Sequence, residues 1–498
     1  MLALVACVVL SAASVWLGGL NQDEGWYLYA ANLVHEGRML YRDFFYTQGP
    51  EMPRLYSRFV WAWAYGGLLG ARLFTLALGL LGIAFAALTA RRLATKGQGN
   101  AAALVVAFLL GCNLYHLYYL TIPKAYALAS LYVSMGFLLL SRTADEKASA
   151  RAQAVFAALA GLSLALSAGT RISLGALLAV AGMALLLARR WLALAGFCVG
   201  GLGGLALAYG PYLLEAGARA GLVAAQRYHA ARGGFDPVWV VGSLSRLVRW
   251  YLPLFIVLGL GVAGRLFCGR SRGARAERLV LDVLLWGFLS VFAVQILAPF
   301  PYEDYQVPVM ALLAVYAAVT LFSSSRPEAQ PSGHAPVLVL VFGLSYATAF
   351  GSPLLERWMT NGQDRFWSLK KEKSELAQLR DAAKRIESLD PGGKTLLTQD
   401  LYLAIETNRK VPKGLEMGPF SILTDDEWRT LLTVTAPTDC RVAALSAYTF
   451  AIAPPVCDER PIAQQMDYWD LLKKNYEMVG RVEAFGQGAT PLLILKLR

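Results

Sequence analysis

The first 351 residues of the chain contain only 14 carboxylates, and two of them, Asp23 and Glu24, stand side by side directly after the first apolar run. Charge is costly at the edge of a bilayer, so adjacent acids placed there are candidates for proton transfer. The alternative for Asp23 is a cap on the helix that follows. Asp43 is a third candidate acid, its alternative being an ion pair with Arg42 or Arg54. The cations are placed as selectively. Lys124 lies in TIPKAYALA at the end of an apolar run, and Arg171 separates two short ones. A cation in such surroundings needs either an anionic ligand or a carbonyl-lined helix end. In QRYHAARGG, His229 and Arg232 are three residues apart and share a helical face, as anion ligands or as part of a solvated basic loop. Glu303 and Asp304 in PYEDYQVP either face an active-site cavity or are exposed turn carboxylates.

These residues have to be positioned by a chain that is 56% hydrophobic and 16% charged over 498 residues, with a mean hydropathy of +0.46. That composition excludes an ordinary soluble enzyme. About eleven apolar runs meet the length needed to cross roughly 30 Å of hydrocarbon. They begin near residues 2, 60, 101, 125, 154, 172, 191, 247, 279, 306 and 336. Short loops rich in Lys and Arg, such as Arg91 and Arg92, Arg142 to Arg151, Arg189 and Arg190, and Arg265 to Arg278, all fall on one side, which the positive-inside rule makes the cytoplasm. The net charge of +12 is therefore largely a topology signal, and no basic stripe suggests nucleic acid. The opposite side carries the long loops 21–59 and 210–246. Within the first of these, Tyr27, Ala30, Ala31 and Val34 recur at helical spacing, which predicts an amphipathic helix along the membrane interface.

From Ser352 the chain turns polar, so residues 1–351 form a membrane domain and residues 352–498 a soluble one. An odd number of spans puts the soluble domain outside the cytoplasm. Helical patterns over 374–388 and 463–475, with strand-like 395–398, 449–452 and 492–497, predict a small α/β module. Cys440 and Cys457, its two cysteines, either pair in that compartment, a bridge worth about 3 kcal/mol by loop closure, or remain separate thiols. The four histidines, His35, His116, His229 and His334, lack zinc-ligand spacing. Gly196, Gly200 and Gly204 predict close helix packing in the seventh span.

The segment NQDEGWYLYAANLVHEGRMLYRDFFYTQGPEMPRLY, Asn21 to Tyr56, resembles the first outer loop of bacterial GT-C glycosyltransferases of the protein O-mannosyltransferase and lipid A aminoarabinose transferase type. In those proteins a DE pair opens the loop, and many bacterial relatives continue with a YRDFF-like segment and a Gly/Pro turn. The overall layout is similar too, though the likeness is sharp only in this loop.

The resemblance implies a polytopic helical membrane enzyme of the bacterial cytoplasmic membrane. Its reaction would be inverting transfer of a sugar from a polyprenyl-phosphate donor to a hydroxyl of a glycan, lipid or protein on the outer face, among membrane lipids. Asp23 matches the family's catalytic aspartate, a general base, and Glu24 its partner, with Asp43 less firmly placed. Lys124, Arg171, His229 and Arg232 are then candidates for the donor phosphate, whose charge grows as the sugar leaves. Lys124 departs from relatives that carry an acid there, which puts in doubt a second carboxylate and any Mg or Mn ion that it would help hold. The rival reading is a transporter or flippase for a lipid-linked or small solute. Such a protein places ionisable residues near the bilayer midplane in repeated halves, and neither pattern occurs in this chain.

Overall fold

In hydrocarbon every backbone amide must find its partner within its own segment, so the apolar runs become helices. The computed structural model describes residues 2–95, 97–145, 147–231, 235–268, 275–298, 301–323, 337, 338, 341, 373–421, 423–452 and 462–498. The membrane domain begins with α1 (Leu2–Leu17), α2 (Gln22–His35), α3 (Glu51–Tyr56) and α4 (Trp61–Leu93). Next come α5 (Gly99–Gly111), α6 (Leu114–Thr121), α7 (Ala125–Arg142), α8 (Ala150–Thr170), α9 (Ala176–Leu187) and α10 (Trp191–Leu214). It continues through α11 (Ala216–Ala230), α12 (Pro237–Trp250), α13 (Leu252–Cys268), α14 (Arg275–Ile296) and α15 (Val307–Ser323).

Eleven spans are not what the described residues show. Six helices are long and apolar enough to cross, and eight if α5 with α6 and α12 with α13 each count as one span, bent by 73° and 82°. Hydropathy windows are blind to such bends. At the first of them Asn113 turns the chain, accepting a hydrogen bond from the His116 amide and donating its own side-chain amide to the Trp250 carbonyl. The apolar parts of α1 and α9 fall short of the length criterion, and the expected span over 336–350 lies largely outside the described residues. The chain is nonetheless a multi-pass membrane protein. Its basic loops do gather at one end, where Arg92 reaches Asp145 at 3.2 Å and Arg190 donates to the Thr143 carbonyl.

The expected glycine packing is present between α8 and α10. A β-carbon on Gly196 would lie 2.4 Å from the Ala154 carbonyl oxygen, and one on Gly200 1.8 Å from that of Ala158. The backbones touch because nothing stands between them.

The C-terminal domain contains α16 (Glu375–Leu389), α17 (Leu401–Glu406), α18 (Asp425–Thr430), α19 (Ala436–Asp439) and α20 (Ile462–Asn475). Its sheet has β1 (Val442–Ser446), β2 (Tyr476–Phe485) and β3 (Thr490–Leu497) in the order β1-β3-β2, all antiparallel, with Val442 opposite Lys496 and Tyr476 opposite Leu497. The helices α16 and α20 and the strand β3 match the sequence pattern, but residues 448–452 form a π-helical turn and 395–398 make only isolated bridges. Cys440 is buried, and Cys457 lies outside the described residues, so the predicted pairing falls there too.

The predicted interfacial helix is corrected by its burial. Trp26, Tyr27, Leu28, Ala30 and Leu33 are all buried, in one core with Leu397, Leu401 and Tyr402 of the C-terminal domain. A helix covered on every side gives a weak amphipathic signal. Polar contacts across the same seam are numerous. Gln22 donates to Asp400, the Val411 amide to the Tyr29 hydroxyl, and Lys410 pairs with Glu36 at 2.8 Å. Within α4, Gly67 breaks the helix with φ of 57°, and the Leu68 amide then donates to Glu406 of α17 at 2.7 Å.

The α8–α10 contact yields a paired test. Gly200→Leu should abolish monodisperse protein in size-exclusion chromatography, whereas Gly203→Leu, where a β-carbon meets nothing within 4 Å, should elute as wild type.

Candidate active site

The helix α2 starts with a capping box. The Asn21 side chain accepts from the Asp23 amide, and the Asn21 amide donates to Glu24 at 2.9 Å. Asn21, not Asp23, is therefore the cap, which leaves the Asp23 carboxylate available to side chains. Its Oδ1 accepts from the Trp26 indole at 2.9 Å, and its Oδ2 lies 2.7 Å from Nζ of Lys124.

Glu24 does something else. It is fully buried and bound by two nitrogens of Arg72, at 2.7 and 2.6 Å. The same guanidinium donates to the carbonyls of Val15, Gly18 and Gly19, which close the C-terminal end of α1. All five donors of Arg72 are used. Glu24 is thus committed to Arg72, and in this way fixes the backbone beside Asp23. Arg72 sits inside a long apolar run, where an unexplained cation is itself a signal.

Lys124 reaches its place because Pro123 ends α6 and α7 starts at Ala125, leaving Lys124 in extended conformation between them. Its ammonium bridges Asp23 and Asp304, at 2.7 and 3.2 Å. Asp304 is buried and also accepts from the Tyr126 hydroxyl at 2.6 Å. Its burial argues against the exposed-turn reading of that carboxylate. Its neighbour Glu303 turns aside to Arg246 of α12, at 3.1 Å.

Arg171 follows the end of α8, its guanidinium 4.9 Å from the Tyr126 ring centroid and 4.2 Å from that of Tyr305. Among the described residues it has no carboxylate partner. It is held by the faces of the two rings. The cluster therefore joins Asp23, Lys124, Tyr126, Asp304 and Arg171 from four separate segments.

Asp43 does not join it. Asp43 lies in the loop after α2, bonded to Arg42 at 2.8 Å and to the Met39 amide at 2.7 Å. The guanidinium and that amide hold its carboxyl down at about 2. So strongly acidic a group is a poor base near neutrality, and the ion-pair alternative fits it better. Only the backbone of His229 is described, on α11, and Arg232 lies outside the described residues. Among the described residues no three His, Cys, Asp or Glu side chains converge as a metal site. A divalent Mg or Mn ion would have to share Asp23 and Asp304 with the Lys124 ammonium, which like charge disfavours.

Neither a protein-family model nor a curated protein sequence matches the chain. Solved structures do. ArnT from Cupriavidus metallidurans bound to undecaprenyl phosphate superimposes with a TM-score of 0.63 at 14% identity, over 99% of this chain and 97% of that one. The same protein in the apo state gives 0.62 at 15%, with equal coverage. The chain has the GT-C fold. Within a GT-C fold, the outer loop from Asn21 to Tyr56 is where the sequence resemblance was sharpest, and this is the loop that presents Asp23.

The Glu24–Arg72 pair gives a stability prediction. Arg72→Met strands a buried carboxylate and should cost about 3–5 kcal/mol, read as a lower midpoint in a thermal unfolding assay. Glu24→Gln with Arg72→Met should recover part of that loss.

Proposed function

We propose that this protein is a membrane glycosyltransferase that moves a sugar from a polyprenyl-phosphate donor to a hydroxyl acceptor, with Asp23 as general base. The observation that supports the reading is the ion pair of Asp23 with Lys124 in a GT-C fold, with Arg171 stacked on Tyr126, which bonds the second carboxylate of Lys124, Asp304. An incoming hydroxyl becomes nucleophilic as its proton leaves, and a carboxylate beside it takes that proton. The opposite need arises at the donor. Negative charge builds on the departing lipid phosphate, and fixed cations stabilise it without reorganising.

The resting ion pairs fit both needs. Lys124 keeps two carboxylates from repelling each other, and an arriving phosphate competes for the same ammonium. Its shift toward phosphate would release Asp23 to accept a proton. Arg171 is already oriented by Tyr126 and Tyr305. That ArnT was solved with undecaprenyl phosphate supports a lipid-phosphate ligand for this chain as well. The C-terminal domain is read as extracytoplasmic, because the basic loops lie at the end of the helices away from Asp23. His229 and Arg232 are retained as further phosphate ligands from the loop after α11.

Two measurements test this reading. Asp23→Asn should abolish transfer from a labelled polyprenyl-phosphate sugar while undecaprenyl phosphate binding persists, and transfer at near wild-type rate would sink the mechanism. Arg171→Met should weaken undecaprenyl phosphate binding about tenfold or more, the loss of one charge-assisted contact. Unchanged affinity would remove Arg171 from the donor site.

A further inference from the structure

A cavity of about 850 Å3 opens between α1, α4 and α5. It runs along α4 from Leu80 to Arg91 and along α5 from Asn100 to Gly111. At 1.5 Å per residue each stretch rises about 16 Å. That is close to half of the roughly 30 Å of hydrocarbon in a bilayer, the depth of one leaflet. Ile83 and Gly111 are buried at its floor, while Val8, Leu80 and Leu88 at its rim are exposed. The cavity is therefore a slot in the apolar surface. Ala87, Ala103 and Ala107 keep it open, where larger side chains would fill it.

Only one end of the slot is charged. Arg91 is its last residue on α4 and Asn100 its first on α5. The stem of Arg91 runs 3.2 Å from where a β-carbon on Gly99 would stand, which brings it beside Asn100. Arg92 is occupied by Asp145, but Arg91 has no carboxylate partner among the described residues, and no carboxylate lines the slot. Arg91 also stands far from the acid–cation cluster. On the unbroken part of α4 it lies nineteen residues beyond Arg72, the partner of Glu24. That is about 28 Å of rise, nearly the full hydrocarbon thickness, so the mouth of the slot and Asp23 belong to opposite leaflets.

A lone guanidinium over an apolar slot one leaflet deep selects an amphiphile with an anionic head and an acyl chain. A zwitterionic head would bring an ammonium that finds no acid in the wall. Asn100 offers both a donor and an acceptor to hydroxyl groups on the head.

We infer that the slot binds one anionic glycerophospholipid of the phosphatidylglycerol type. Its phosphate sits on Arg91, its head hydroxyls meet Asn100, and one acyl chain fills the space between α1 and the α4–α5 pair. Its leaflet distinguishes it from a donor whose phosphate lies at Asp23. So seated, the lipid braces α1 against α4, the two helices that Arg72 ties to the start of α2.

The test uses the full-length protein in mild detergent, native mass spectrometry and synthetic lipids. One phosphatidylglycerol should stay bound at collision energies that strip phosphatidylethanolamine with the same chains. Arg91→Gln should weaken phosphatidylglycerol binding about tenfold, as for one charge-assisted contact. Ala87→Phe, which fills the slot, should abolish it, and both variants should elute as wild type in size-exclusion chromatography. Phosphatidylglycerol carrying a diazirine at the end of one acyl chain should label α4 near Leu80 and α5 near Gly111. Arg91→Gln should reduce that labelling, which decides the matter even if Ala87→Phe does not fold. Equal retention of the two lipids, binding unchanged in Arg91→Gln, or labelling spread evenly over other apolar helices such as α10 would each overturn the site. Displacement of phosphatidylglycerol by equimolar undecaprenyl phosphate would overturn it too, by showing that the slot takes the polyprenyl chain instead.

Discussion

The structure depends on one buried guanidinium. Arg72 closes the last turn of α1, binds Glu24 with two nitrogens, and belongs to α4, so a single side chain fixes the relative placement of three helices. A fully buried ion pair is tolerable only when every donor is satisfied, and Arg72 meets that condition. With Glu24 held in this way and Asn21 capping, the start of α2 has little freedom. The carboxylate one position earlier is then presented to Lys124.

A second constraint comes from the C-terminal domain. It shares its core with the loop of residues 21–59, and a β-carbon on Gly25 would lie 2.4 Å from the Tyr402 amide nitrogen. Asp400, fully buried, accepts from Gln22, Tyr402 and the Ser446 amide, and burial raises its carboxyl above the usual range. The C-terminal domain thus acts as a clamp on the loop that carries Asp23.

Much of this was legible early. The scarcity of carboxylates among apolar runs singled out Asp23, and the expense of a lone cation singled out Lys124 and Arg171. Glycines at every fourth residue announced the α8–α10 contact. Other features left weaker signals. Arg72 carried the same intramembrane-cation signal as Arg171, yet lay hidden inside a run counted as one span. Tyr126 and Trp26 looked like ordinary aromatic residues, since nothing in spacing says that a hydroxyl will meet Asp304 or an indole Asp23. The strand β1 was missed because all five of its residues are buried and leave no alternation, and β2 because its residues mix buried and exposed positions irregularly, with bulges in the β2–β3 register.

By itself the sequence determined the solvent and the handful of charges able to do chemistry, because hydrophobicity and charge cost are properties of residues. Only the tertiary structure decided which of those charges meet. Asp23 and Glu24 are neighbours in the chain with the same chemical group, yet one helix turn sends the first to Lys124 and the second to Arg72. Adjacent residues on a helix point roughly 100° apart, and what each then touches is set by segments distant in sequence.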